Sequence, residues 1–169
     1  MTPYLVRRLR VGDALAFDGP YGLYTIPDKL DPAVDCFIYV AAGSGITPNR
    51  GIIKTCLGRG LPIRHALFYQ NRAPADVIYR TEWEGLAGKI KIVHSISSQG
   101  QRLSLQSISD ELRGFAEPAR SLAFVCGPNR PRDGKPGFVD AFAGVRRKNV
   151  VGILGEWGLP FDKIRTELW

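Results

Sequence analysis

Histidine, cysteine and long apolar runs are all scarce in this chain of 169 residues. The two histidines, His65 and His94, stand far apart, and neither has a metal-ligand neighbour at helical spacing. The three cysteines, Cys36, Cys56 and Cys126, make no C-x-x-C pair. An odd, scattered set of this kind is neither a disulfide framework nor a zinc site. No metal site is expected, and free thiols fit a reducing compartment, so the reading is cytoplasmic. The longest apolar stretches, such as Phe37 to Ala42, fall far short of the ~20 residues that a membrane helix needs, so no membrane association is expected. The opening MTPYLVRRLR has no charged-then-apolar leader, and no secretory signal is expected. No internal repeat or low-complexity tract is visible.

The residues that are present have globular proportions. Hydrophobic residues make up 44% and charged residues 23%, which excludes disordered and fibrous classes. Twenty-three Lys and Arg against sixteen Asp and Glu leave a net charge of +7. That charge points to an acidic partner or a phosphate-bearing ligand. No aromatic-rich basic repeat accompanies it, so a nucleic-acid partner is not expected.

The chain divides near residue 32. Before it, Ala14 to Phe17 and Leu23 to Ile26 read as two short strands around the turn Gly19-Pro20-Tyr21-Gly22. This predicts a β-domain remnant over residues 1–31 and a second domain over 32–169. From Cys36 onward, strands alternate with helices. Cys36 to Ala42 is a near-continuous apolar run typical of a buried parallel strand. Further strands are expected over residues 63–69, 89–94, 122–126 and 164–168. Helices are expected over 48–57, 76–86 (with Val77, Ile78 and Trp83 as core contacts), 107–113, 138–142 and 150–157. The expected fold class is α/β: a five-stranded, doubly wound parallel sheet preceded by a remnant of an antiparallel β-barrel.

Two glycine turns carry the candidate chemistry. Gly43-Ser44-Gly45-Ile46-Thr47-Pro48 follows the first buried strand. Gly43 and Gly45 permit a tight turn and close approach to a pyrophosphate. Thr47 reads as a helix cap and Pro48 as the first helical residue. A helix beginning there presents free N–H groups and a positive dipole to phosphate. The third glycine of the common dinucleotide fingerprint is absent, with Pro48 in its place. The fourth strand also ends in a turn, Cys126-Gly127-Pro128. In a sheet of order 3-2-1-4-5, strands 1 and 4 flank the point where the winding reverses, and ligands bind in that crevice.

With these pieces in place, the chain resembles the NAD(P)-binding half of the ferredoxin–NADP reductase family. The matching segments are GDALAFDGPYGLYTIP, YVAAGSGITPNRGIIKTCL, FYQNRAPADVIY, FVCGP and the terminal IRTELW. The resemblance implies that Gly43, Ser44, Gly45, Thr47 and Pro48 hold the pyrophosphate of NADP or NAD. It implies that Cys126, with Gly127 and Pro128, lies beside the nicotinamide, near the reactive edge of a flavin. Glu167 matches a family carboxylate near the flavin, and Trp169 matches a terminal aromatic that stacks on the flavin ring. Thr2 matches the hydroxyl residue of a turn that binds flavin pyrophosphate. Each also has a plainer reading: Cys126 as a small core residue, Glu167 as an exposed strand residue, Trp169 as an apolar plug, Thr2 as a frayed terminus.

For the cofactor's 2′ position, Arg72 follows the second strand with no acid before Asp76. Ser97, Ser98 and Arg102 follow the third. This pattern favours NADP over NAD. The family's flavin domain carries an R-x-Y-S type motif that is missing here, so FAD is expected to bind weakly or not at all to this chain alone. A separate FAD-domain chain is one expected partner. Arg130, Arg132, Lys135, Arg146, Arg147 and Lys148 form a basic stretch. An acidic electron-transfer protein, ferredoxin or flavodoxin, is the expected acceptor. The implied function is passage of electrons from NAD(P)H through FAD to ferredoxin, flavodoxin or an oxygenase component, incomplete in this chain. The alternative is a non-catalytic or inert dinucleotide-binding module left by truncation.

Overall fold

The computed structural model describes residues 2–16, 18–19, 21–131, 133–145, 148 and 150–168. Its centre is a five-stranded parallel sheet of order β3-β2-β1-β4-β5. The strands are β1 (Cys36–Ala42), β2 (Arg64–Asn71), β3 (Lys91–Ile96), β4 (Ser121–Gly127) and β5 (Ile164–Leu168). The middle strand pairs on both edges, Cys36 to Ala42 against Arg64 to Gln70 and Cys36 to Ala41 against Ser121 to Cys126. Paired on two edges and covered on two faces, β1 has every residue buried. That is why its sequence is continuously apolar rather than alternating.

The period of two along each strand sorts side chains between two cores. Phe37, Tyr39, Leu67, Tyr69 and Phe124 face α2 (Ile46–Gly58) and α3 (Arg80–Gly85). Ile38, Val40, Phe68 and Val125 face α4 (Leu105–Leu112), α5 (Phe138–Ala143) and α6 (Ile153–Glu156). Each fully buried aliphatic or aromatic side chain contributes about 1.5–3 kcal/mol, so these two faces dominate the stability of the fold. The segment before β1 adds Tyr24, Ile26 and Leu30 to the α2 side.

Local chemistry sets the helix ends. After α2, Gly60 adopts φ +61, Leu61 N–H donates to Cys56 O at 3.1 Å and Gly60 N–H to Leu57 O at 3.1 Å. This is a Schellman stop, and it requires the left-handed glycine. At the start of α4, Ser104 and Ser107 exchange side-chain-to-backbone bonds in a capping box.

Several sequence expectations change. Among the described residues before Cys36 no strand forms; instead Thr2–Arg7 is a helix, α1. The described residues of 14–17 and 23–26 have no neighbouring strand to complete a ladder, and an isolated strand is not stable. The helix expected over 76–86 breaks into a short 3₁₀ turn, Pro74–Asp76, and α3. Tertiary hydrogen bonds hold residue 78 out of the helix: Ile78 N–H donates to Tyr69 Oη at 3.3 Å and Trp83 Nε1 donates to Ile78 O at 2.8 Å. Tyr79 then sits at φ 60. Trp83 is buried as expected, but Ile78 is exposed.

The helix expected over 150–157 shrinks to α6. Val145 and Val150 instead form an antiparallel bridge. The chain leaves at Gly144 and returns at Gly152 with the backbones in contact. A Cβ on Gly152 would lie 2.3 Å from Gly144 N.

Candidate functional site

The Gly43–Gly45 turn and the Cys126–Gly127 end of β4, strand here rather than the turn expected, meet at the carboxyl end of the sheet, where the strand order reverses between β1 and β4. A Cβ added to Gly127 would lie 3.3 Å from the Cβ of Ala42, the residue before the first turn. The same added carbon would lie 2.6 Å from the Phe138 ring. Glycine at 127 is thus what lets α5 close against the end of β4.

Gly43–Gly45 forms one 3₁₀ turn that runs directly into α2. Gly43 has φ +53 with open space around its missing side chain, so its requirement is backbone conformation alone. Gly45, not Thr47, is the N-cap of α2, and it makes no side-chain cap bond. Ile46 therefore opens the helix and Thr47 is its exposed second residue. Pro48 is the third helical residue rather than the first, still within the first turn where helix N–H groups lack intrahelical partners. Ser44 is exposed at the turn.

Across the crevice, Ala41, Cys126 and Glu167 form one row: Ala41 pairs with Cys126 and Cys126 with Glu167. Cys126 is buried and its thiol is pushed up to about 12, first by desolvation and then by the charge of Glu167. It is a neutral thiol at neutral pH. Glu167 is exposed, and Pro128 is exposed beside buried Gly127. Trp169 and the side chain of Thr2 lie outside the described residues; Thr2 opens α1.

The remaining candidates gather at the ends of β2 and β3. Ser98 N–H donates to Arg72 O at 3.0 Å, which ties the two loops together. Leu103 N–H donates to Gln70 Oε1 at 3.3 Å and brings Arg102 back toward the same end of the sheet. Arg72, Ser98 and Arg102 are exposed and Ser97 is half-buried. Of the basic stretch, Arg130, Lys135 and Lys148 are exposed; Arg132, Arg146 and Arg147 lie outside the described residues.

Sequence reasoning missed four polar residues here. Asn71, at the end of β2, is buried with both amide atoms unpartnered among the described residues. Tyr69 Oη donates to Gly43 O at 2.9 Å. Asn49 Nδ2 donates to Gly45 O at 3.3 Å, and Tyr24 Oη donates to Asn49 Oδ1 at 2.6 Å. Burial pushes the Tyr24 phenol up, and the nearby Cys126 and Glu167 push the same way. One sign was legible: Asn49 is a polar residue on the buried stripe of Ile46, Ile53 and Cys56.

Two cavities lie elsewhere. One of about 490 Å³ is lined by Asp35, Arg64, Phe115 and Arg120 near the strand starts. One of about 380 Å³ is lined by Lys54 and Leu57 on α2, Glu82 on α3 and Leu86 just after it. Neither of these two is lined by the glycine turns.

Comparison with known proteins bears on the family and the fold. Residues 39–131 match the oxidoreductase NAD-binding domain. The chain is 33% identical over 137 residues to ferredoxin–NADP reductase B of Sorangium cellulosum, covering 74% of this chain and 55% of that protein. It is 35% identical over 131 residues to the ferredoxin reductase component of 3-ketosteroid-9-alpha-monooxygenase of Rhodococcus rhodochrous, covering 74% of this chain and 34% of that one. The chain thus spans about half or less of the length of these curated relatives. In fold, it superposes on the cytochrome b5 reductase domain of Ulva prolifera nitrate reductase with a TM-score of 0.67 at 22% identity, covering 99% of this chain and 64% of that one. The parallel sheet, the Gly43–Gly45 turn and the end of β4 at its switch point and these matches together make the chain a member of the ferredoxin–NADP reductase family, carrying that family's oxidoreductase NAD-binding domain.

Proposed function

We propose that this chain is the dinucleotide-binding part of a flavin-dependent reductase that takes electrons from NADPH, or NADH, and delivers them to an iron–sulfur protein, a flavodoxin or an oxygenase component. The observation that carries this reading is the meeting of the Gly43–Gly45 turn and the Cys126–Gly127 end of β4 at the β1/β4 switch point.

The residues present fit a dinucleotide. Gly43, Ser44, Gly45, Thr47 and Pro48 would hold its pyrophosphate at the start of α2. Asn71 offers buried amide atoms with no partner among the described residues. Arg72, Ser97, Ser98 and Arg102 would hold a 2′-phosphate, which favours NADP. When bound, the dinucleotide would supply hydride chemistry, to be passed on as single electrons through a flavin. Cys126, a buried neutral thiol, would border the nicotinamide without carrying charge. Glu167 beside it would serve as a carboxylate facing the flavin, with Trp169 and Thr2 as further flavin contacts.

Residues 1–31 are read as the piece that joins a flavin-carrying domain, and 32–169 as the dinucleotide domain. Val6, Val11, Leu15, Tyr21 and Leu23 are exposed apolar residues in that first segment, which supports a surface meant to be covered. The flavin is therefore read as held mainly by protein beyond the described residues, on the same or a separate chain, with weak FAD binding here. The net charge of +7, including Arg130, Lys135 and Lys148, fits an acidic acceptor protein. No helix among the described residues is long and apolar enough to cross a membrane. Three buried free cysteines fit a cytoplasmic setting.

A non-catalytic dinucleotide-binding module is the second reading, favoured by the lack of any strand before Cys36 among the described residues. Calorimetric titration with NADP and NAD, each with and without FAD, separates the outcomes. NADP binding without FAD supports the dinucleotide domain and the 2′-phosphate choice. A folded chain that binds neither nucleotide overturns the reading. Flavin reduction by NADPH after addition of a flavin-domain protein separates an enzyme part from a non-catalytic module.

A further inference from the structure

The turn at Gly43–Gly45 has its two glycine carbonyls held by side chains from two parts of the chain, one of which is itself fixed by a side chain from a third. Tyr69 Oη, on β2, donates to Gly43 O at 2.9 Å and accepts from Ile78 N–H at 3.3 Å. Asn49 Nδ2, on α2, donates to Gly45 O at 3.3 Å. Asn49 is fully buried, and its other amide atom is fixed by Tyr24 Oη at 2.6 Å. Tyr24 comes from the segment before the sheet and packs edge-on against Phe124, ring centroids 5.5 Å apart.

A carbonyl oxygen repels an anion, whereas an N–H attracts one. The peptide unit is planar and trans, so its C=O and N–H point in opposite directions. Tying Gly43 O inward to Tyr69 therefore turns Ser44 N–H away from the protein, and Ser44 is exposed. Tying Gly45 O to Asn49 fixes the capping residue of α2 and with it the direction of the helix start. Gly43 O also accepts Ile46 N–H within the 3₁₀ turn and Gly45 is the N-cap of α2, so the two side-chain ties add to backbone bonds and fix the turn against β2 and the buried amide of Asn49. A buried amide donating to a carbonyl stays in register only while its own acceptor is satisfied. Tyr24 supplies that partner.

We propose that Tyr69 and the linked pair Tyr24–Asn49 are positioning residues for the phosphate-binding turn, so that nucleotide affinity depends on a side chain from the segment preceding the sheet. This rests on the dinucleotide reading above. It adds a link between the segment that faces the flavin side and the turn that holds phosphate.

The test uses the purified chain and three variants, Tyr24→Phe, Tyr69→Phe and Asn49→Ala. The first two each delete one oxygen and keep the ring packing. Binding of ADP-ribose, which carries the pyrophosphate, is measured by calorimetry, and binding of adenosine, which lacks it, by ligand-observed NMR. Each variant is expected to bind ADP-ribose about threefold to tenfold more weakly, the effect of one lost hydrogen bond, with adenosine binding unchanged. In the free variants, hydrogen exchange at the amides of Ser44 to Ile46 is expected to speed up. ADP-ribose affinity equal to wild type, an equal loss for adenosine, or unchanged exchange at those amides each overturns the proposal. Failure of the wild-type chain to bind ADP-ribose overturns the dinucleotide reading itself, and this proposal falls with it.

Discussion

Cys126 on β4 and Glu167 on β5 are register partners across a parallel strand pair, at the end of the sheet where β1 turns at Gly43. One is a buried thiol and the other an exposed carboxylate. The carboxylate adds to desolvation in holding the thiol neutral. Cys126 is therefore a small, uncharged, weakly polar side chain at that end of the sheet.

All three thiols should resist alkylation in the folded chain. Cys36, Cys56 and Cys126 are buried, and burial pushes each thiol up, Cys36 and Cys126 to about 12. The thiolate is the reacting form. Iodoacetamide near neutral pH, followed by mass spectrometry, should add nothing to the native chain and three groups after unfolding in guanidinium. Labelling of Cys126 in the native chain would contradict its burial.

Stability should fall on mild acidification. His65 is buried beside Tyr39, whose hydroxyl lies 3.0 Å from Nδ1. Desolvation lowers its pKa from 6.5 to about 4. Between those values the unfolded chain takes up a proton that the folded chain refuses, so acid favours unfolding. The stability is whole above about pH 6.5 and declines toward about pH 4, by at most about 1.4 kcal/mol per pH unit. His94 shifts in the same direction, chiefly through desolvation. Asp31 and Asp35 are lowered, the first mainly by the Ala33 N–H and the second by Arg64, so their contributions disappear only at still lower pH. Urea midpoints at about pH 7 and about pH 5 should differ, and His65→Gln should reduce that difference.

Two glycines of the site should respond differently to alanine. Gly43→Ala places a Cβ in open space but forces φ +53 on an L residue, costing about 1 kcal/mol. Gly127→Ala drives a Cβ to 2.6 Å from the Phe138 ring, which already packs 4.7 Å from Phe142, centroid to centroid. That overpacking should cost about 1–3 kcal/mol. Thermal and urea unfolding should rank Gly127→Ala below Gly43→Ala. The reverse order would mean that α5 yields easily.

The choice of dinucleotide should rest on Arg72 and Arg102. Both are exposed, and the Ser98–Arg72 hydrogen bond links the loops that carry them. Replacing either with Ala should weaken NADP by about tenfold, the loss of a hydrogen bond to a charged group, and leave NAD nearly unchanged. Calorimetry with both nucleotides reads this directly. Equal losses for the two would remove the 2′-phosphate assignment from these residues.

The sequence by itself determined the sheet and its switch point. A strand covered on both faces and paired on both edges must be apolar throughout, and Cys36 to Ala42 announced that in one run. The placing of GSG after β1 and of Cys126-Gly127 at the end of β4 then followed from the alternation of strands and helices. Tertiary structure alone decided the rest. Residues 14–16 and 23–26 have strand-like composition, yet a strand needs a neighbour to bond, and those residues have none here. Residues 76–86 have a helical pattern, but the bonds from Ile78 to Tyr69 and to Trp83 outcompete the helix. The tie from Tyr69 to the glycine turn and the bond from Tyr24 to Asn49 join residues 26 and 25 positions apart, a distance at which local pattern carries no information. Local pattern sets where a chain bends and which face it buries. Which polar groups meet depends on the packing of the whole.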